Sequence, residues 1–179
     1  VKNGLLIMLA AALFGCAVPP PQMSREEALI ATQRHYPGVT QGQILQRVES
    51  IFDLSDGSDY TYAYTSDGLK ANRRYDVYLV FIAPSGNFIW DVRATPDQDG
   101  VLVKAQVEEH SGGIGIQTGT ELFNTAIPYN MLWERLDYLL GKSDHWPTCD
   151  EAKAAVGNKP LYVNQLRPWC FYTDDKRPD

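Results

Sequence analysis

Between Tyr60 and Glu108 polar and apolar positions alternate along the chain. Tyr60, Tyr62 and Tyr64 interleave with Thr61, Ala63 and Thr65, and Tyr75, Val77, Leu79 and Phe81 with Asp76, Tyr78, Val80 and Ile82. Phe88, Trp90 and Val92 follow, then Val101, Val103, Ala105 and Val107 set against Leu102, Lys104, Gln106 and Glu108. A period of two built from β-branched and aromatic side chains predicts strands. Turn chemistry at Asp67-Gly68, Pro84-Ser85-Gly86-Asn87 and Pro96-Asp97-Gln98-Asp99-Gly100 punctuates them. Connections this short join antiparallel neighbours, so a meander is expected. Gln43–Phe52 is read as one more strand before it, although Ile44, Leu45, Val48, Ile51 and Phe52 also fit a helix.

The period changes on either side. Ser24-Arg25-Glu26-Glu27 has the form of a capping box, and Ala28, Leu29, Thr32 and Tyr36 recur at helical spacing until Pro37-Gly38, which predicts a helix over 25–36. From Pro128 to Leu140, residues Tyr129, Leu132, Trp133, Leu136, Leu139 and Leu140 form one apolar stripe, and Gly141 stands at the C-terminal cap. Thr148-Cys149-Asp150-Glu151 is a second capping box, opening a short helix that Gly157 closes. Lys159 to Val163 is read as a last short strand, and 174–179 as a disordered tail. The predicted class is α+β: a curved antiparallel meander of about five strands, with an N-terminal helix and a long C-terminal amphipathic helix packed on one face. This order resembles that of helix-grip folds, in which a long helix closes a cup of bent sheet; the resemblance is architectural and implies no function.

The run Leu5 to Phe14 is apolar and uncharged and follows Lys2. It is about half the roughly 20 residues needed to cross a bilayer. A basic start, a short apolar stretch and small residues at its end describe a secretory signal. Leu13-Phe14-Gly15-Cys16 resembles the lipobox of bacterial lipoproteins, with Phe14 bulkier than usual at its position. Ala17-Val18-Pro19-Pro20-Pro21 cannot continue a helix. The resemblance implies cleavage before Cys16, acylation of its thiol and usually of the new amino terminus, and stable anchoring, since two or more chains hold where one is marginal. Val1 fits a precursor read from an alternative start codon, as in a Gram-negative or similar bacterium. In enterobacterial lipoproteins, Ala rather than Asp after the cysteine directs the protein to the outer membrane, so Ala17 implies that location. The expected organisation is a cleaved segment 1–15, a proline-rich tether 16–23 and a single domain 24–173.

Export changes the meaning of Cys149 and Cys170. With Cys16 acylated they remain as an even pair in an oxidising compartment, and a structural disulfide is the simplest reading. The formal net charge of −6 for the whole chain disfavours nucleic acid, whose binding depends on neutralising phosphates.

The candidate chemistry is sparse. His35, His110 and His145 lack partners at metal-ligand spacing; His35 is expected in the last turn of the first helix, where a cation suits the dipole. His110 adjoins Ser111-Gly112-Gly113-Ile114-Gly115, but neighbouring side chains in an extended run point to opposite faces, and no nucleophile elbow is present. The glycine run lacks the Lys-Ser/Thr of a phosphate loop and is read as a flexible strand exit. Asp53, Asp56 and Asp59 around Gly57 lack the alternating ligands and closing Glu of a calcium loop. Aromatic residues are the more interesting set: Tyr60, Tyr62 and Tyr64 share a face, with Tyr78 and Trp90 close enough in sequence to lie on neighbouring strands as further binding candidates. Half-buried sheet packing is the first reading of such a row; in the alternative, Tyr60, Tyr62, Tyr64 and Arg73 or Arg74 would line a groove, since such rings combine apolar bodies with hydrogen-bonding tips. No cofactor, metal or catalytic set is expected. The expected function is a non-catalytic outer-membrane lipoprotein, an accessory or interaction module of the cell envelope that meets the membrane through Cys16 and an envelope protein as partner. The alternative is a carrier of a small apolar ligand or lipid, held in a cavity between the sheet and the Leu132/Leu136 face.

Overall fold

The structure, a computed structural model, describes residues 20–56, 59–78, 81–114, 117–171 and 178. The stretch Leu13-Phe14-Gly15-Cys16 expected to be a lipobox and the expected tail from Asp174 lie outside the described residues, apart from Pro178. The architecture is mixed, an open antiparallel sheet of six strands with helices. In chain order the elements are α1 (Arg25–Ala31), β1 (Gln33–Pro37), α2 (Gln41–Asp56), β2 (Tyr60–Tyr64), β3 (Gly68–Asp76), β4 (Ala83–Asp97), β5 (Gly100–Ile114), β6 (Gly119–Leu122), α3 (Ile127–Leu139), α4 (Cys149–Ala155), α5 (Pro160–Val163), a 3-10 turn (Asn164–Leu166) and α6 (Arg167–Cys170). Strand order is β1-β5-β4-β3-β2, with β6 also on β5.

β2 to β5 form the expected meander. The alternation works as a one-sided sheet should: Leu69, Ala71, Arg73 and Tyr75 of β3, Phe88, Trp90, Val92 and Ala94 of β4, and Val101, Val103, Ala105, Val107 and Glu109 of β5 are buried. Their neighbours in sequence stay in contact with water, as antiparallel sheets permit. On that wet face Arg93 bridges Asp91 and Asp67, and Lys70 reaches Asp91 at 3.2 Å.

Four expectations need correction. Gln43–Phe52 is helical, because Ile44, Val48, Ile51 and Phe52, all fully buried, share one face only at the helical period. The helix begun by the Ser24 capping box stops at Ala31; Gln33–Pro37 leaves it to pair with Val101–Lys104 and Gly100 of β5, where Tyr36 is buried. That pairing supplies backbone partners and burial that a surface helix cannot. Pro84-Ser85-Gly86-Asn87 is not a turn but part of β4, facing Asp76 to Arg74 of β3. Gly86 makes this possible, since a Cβ there would lie 2.7 Å from the Tyr75 hydroxyl. The connection instead falls between Asp76 and Ala83. Lastly, Pro160–Val163 is a helical turn with Pro at its start, not a strand.

The core is sealed by aromatic stacking. Trp169 of α6 lies parallel to Phe52 of α2 at 5.4 Å and 4.7 Å from Trp90 of β4, and its indole N–H donates to the Pro128 carbonyl. Leu132 and Leu136 of α3 join the same cluster at 0 % exposure, and Gly141 follows α3 with φ +68°. Trp133 donates to the Ala31 carbonyl at 2.7 Å and Asp137 pairs with Arg34, tying α3 to α1 and β1. The Thr148 capping box opens α4. No described helix is long and apolar enough to cross a membrane.

Candidate functional site

β2 is an edge strand, and its alternation turns Tyr60, Tyr62 and Tyr64 toward α2. Tyr60 and Tyr62 stack in parallel at 6.3 Å and Tyr64 follows, tilted by 40° at 6.4 Å from Tyr62, so the three form a ladder. Glu49 and Asp53 lie one helical turn apart on α2 and take its free ends: the Tyr62 hydroxyl donates to Asp53 (2.6 Å) and Tyr64 to Glu49 (2.7 Å), while Tyr60 donates to the Pro168 carbonyl. Burial, then the bond to Asp53, pushes the Tyr62 phenol far up; the bond to Glu49 raises Tyr64. These phenols are held as donors. The ladder is packing between strand and helix.

The five aromatic residues are not brought together. Tyr60 and Trp90 are in the core, Tyr62 is half-buried, Tyr64 is exposed at the end of the ladder, and Tyr78 stands apart in the β3–β4 connection, 85 % exposed. Arg73 is buried beside Tyr60, whereas Arg74 faces water and pairs with Asp76.

A second constellation was hidden from the sequence reading. One row across the inner face reads Tyr60, Arg73, Phe88, Glu109. Arg167 of α6 reaches that row and pairs with Glu109 through both terminal nitrogens, each at 2.9 Å. Tyr75 donates to the same carboxylate, and burial, followed by this bond, pushes its phenol up to about 12. The guanidinium lies over the rings of Tyr75, Phe88 and Phe171. Cys149 and Cys170, bonded to each other with Cα atoms 5.6 Å apart, hold α6 against α4 and so fix where Arg167 can stand. Arg135 is a parallel case: fully buried, it donates to the Pro147 carbonyl and to Ser55 and lies over Trp146. Both arginines serve as cross-links between elements. The available signal was positional: Glu109 continues the apolar face of β5 two residues beyond Val107.

The histidines are dispersed. His35 sits on β1 rather than at a helix end, 3.6 Å from Asp99; His110 is 2.8 Å from Glu108; His145 is 3.8 Å from Glu151. Among the described residues no group of three or more His, Cys, Asp or Glu is placed to hold a metal ion. Asp53 belongs to α2 and is engaged by Tyr62, so it does not form a turn ligand with Asp59. Ser111–Ile114 extends β5 instead of forming a loop.

An open apolar groove of about 490 Å³ runs between the chain at Pro20–Met23, α1 and α3, lined by Met23, Ile30, Ala31, Ala126, Ile127 and Trp133. Its size is that of a small-ligand site. No family model matches this chain, and no curated protein or solved structure matches it either.

Proposed function

We propose that the chain is a non-catalytic lipoprotein anchored at the outer membrane through Cys16, its domain facing the periplasm and acting as an accessory or interaction module of the envelope. The observation that carries this reading is the filled interior. Trp90, Trp169, Phe52, Phe88, Leu132 and Leu136 close the space between sheet and helices at 0 % exposure, and the buried ions Glu109 and Arg135 are engaged within the fold. The filled interior supports a function carried by the outer surface. In this reading α3 is the long amphipathic helix that grips one face of a curved sheet, and the disulfide fits an oxidising compartment. The carrier alternative has one observation in its favour, the groove beside Trp133 and Ile30; its ligand would lie on the outside of α3 and not between helix and sheet.

The test is expression of the full chain in a Gram-negative host, envelope fractionation and mass analysis. A mature chain that begins at Cys16 with added acyl mass, found in the outer membrane, is the expected result, together with crosslinking to an envelope protein. An unmodified Cys16 in a soluble fraction refutes the anchor. A small apolar molecule released from the gently extracted protein moves the function to the carrier.

A further inference from the structure

We propose that the open edge of β2 takes an extended, lysine- or arginine-bearing segment of a partner protein as an added strand, with Glu49 and Asp53 of α2 reading its basic side chains. This names the surface and the partner of the interaction module proposed above and rests on that reading. β2 stands last in the strand order and pairs with β3 in an unbroken register. Thr65 and Gly68 close their hairpin, the Thr65 amide donating to the Gly68 carbonyl at 2.9 Å. Bonded pairs alternate along an antiparallel ladder, so Thr61 and Ala63 turn their backbone groups to β3, and Tyr62 and Tyr64 turn theirs away from it. Those outward N–H and C=O groups have no partner among the described residues. Natural sheets blunt such an edge with charge, proline or a bulge. At the opposite edge β1 carries Arg34 and His35 and ends on Pro37. Tyr60 to Ser66, by contrast, contains no charged residue, proline or glycine. Its Tyr and Thr residues are of the types that favour strands.

Charge identifies the occupant. Tyr64 donates to Glu49 Oε1 and Tyr62 to Asp53 Oδ1, which leaves Oε2 and Oδ2 as acceptors with no bond among the described residues. Neither carboxylate forms an ion pair there. Arg47, the only cation of α2, is two residues from Glu49 and faces another side of the helix. The spacing suits a strand as well. Passing from Tyr62 to Tyr64 along β2 leads from Asp53 back to Glu49 along α2, so helix and strand run side by side in opposite directions. One helical turn separates the carboxylates by about 6 Å, and side chains two apart on an added strand stand about 6.6 Å apart. Residues paired with Tyr62 and Tyr64 project to the α2 face, as those tyrosines do. A Lys or Arg side chain is about as long as that of Tyr and brings its charge level with the two hydroxyls. Basic residues at alternate positions therefore meet both carboxylates. A second copy of the chain fits worse: pairing β2 with β2 would set Glu49 and Asp53 of both copies on one face of the joined sheet, in a chain of net charge −6.

The test uses the full chain in non-ionic detergent and the end-blocked peptide Thr-Lys-Val-Lys-Val-Lys-Thr, read by amide hydrogen exchange in NMR spectra. A peptide with Glu in place of each Lys is the control. At millimolar lysine peptide the Tyr62 and Tyr64 amides should exchange about tenfold more slowly, while those of Thr61 and Ala63, turned to β3, change little. The acidic peptide should protect neither. Glu49→Gln combined with Asp53→Asn keeps an acceptor for each tyrosine and should weaken the lysine peptide by about five- to tenfold. Tyr62 and Tyr64 amides left unprotected overturn the proposal, whether the peptide binds elsewhere or not at all. The interaction-module reading then still stands, because the crosslinking to an envelope protein tests it without reference to β2. Protected amides in a chain that crosslinks to no envelope protein keep the edge site and discard that setting. Equal protection by the acidic peptide, or undiminished affinity in the double variant, overturns the basic partner. Protection that needs no peptide and grows with protein concentration overturns the proposal in favour of a second copy of the chain.

Discussion

Replacing Arg167 with Met should cost about 3 kcal/mol, and the double replacement with Glu109→Met much less than the sum of the two single changes. Breaking a buried pair by removing one partner typically costs about 3–5 kcal/mol, because the remaining charge stays desolvated, whereas removing both can be nearly neutral. The Glu109 side chain is 5 % exposed and that of Arg167 30 %, so water reaches one side of the pair and the lower end of the range applies. Tyr75 continues to donate to Glu109 in the single variant, which also limits the loss. Met keeps an unbranched stem over Tyr75, Phe88 and Phe171, so the change isolates the charge from the packing. Urea unfolding followed by the fluorescence of Trp90 and Trp169 reads the result. With a slope near 2 kcal/mol/M the midpoint falls by about 1.5 M. An Arg167→Met protein within about 0.5 kcal/mol of the parent, or a double variant equal to the sum of the singles, would refute the cross-link and reduce the contact to a surface ion pair.

Other outcomes follow from the same geometry. The Tyr75 phenol has a folded pKa raised to about 12, so its stabilising contribution is whole below its ordinary value near 10 and is lost as pH rises through 12; alkaline unfolding of Tyr75→Phe should show a weaker dependence in that window. Reduction of Cys149–Cys170, or replacement of both by Ser, should lower stability by about 3 kcal/mol for a closed loop of this length, measured by the same urea titration. It should also free Trp169, whose emission would then move to the red before global unfolding. Tyr62→Phe and Tyr64→Phe should differ: the half-buried Tyr62 leaves Asp53 short of a donor and costs about 1 kcal/mol, while Tyr64, exposed, changes stability within about 0.5 kcal/mol. Equal effects at the two positions would contradict the ladder's graded burial.

Much of the frame was readable before the fold was known. Both capping boxes are formed by the residues that spell them, and Gly141 adopts positive φ after α3, because these signals need only neighbours in sequence. The meander was readable for the same reason, its turns being short. The failures share a cause. Residues 33–37 become a strand because β5 offers them a partner far away in sequence. Pro84–Asn87 extends β4 because Gly86 admits Tyr75 from the neighbouring strand. Gln43–Phe52 suited two periods, and the helix was chosen by a face that buries four apolar residues at once.

By itself, then, the sequence determined which segments have a regular period, where helices begin and which two cysteines, Cys149 and Cys170, pair. Those properties depend on side chains a few residues apart. Tertiary structure alone decided which face of each period is wet. It turned Trp90 inward and left Tyr78 and Phe81 outside, and it brought Arg167 to Glu109 across 58 positions of chain. Burial and charge pairing are properties of surfaces from distant segments meeting, and no local pattern specifies what a residue will meet.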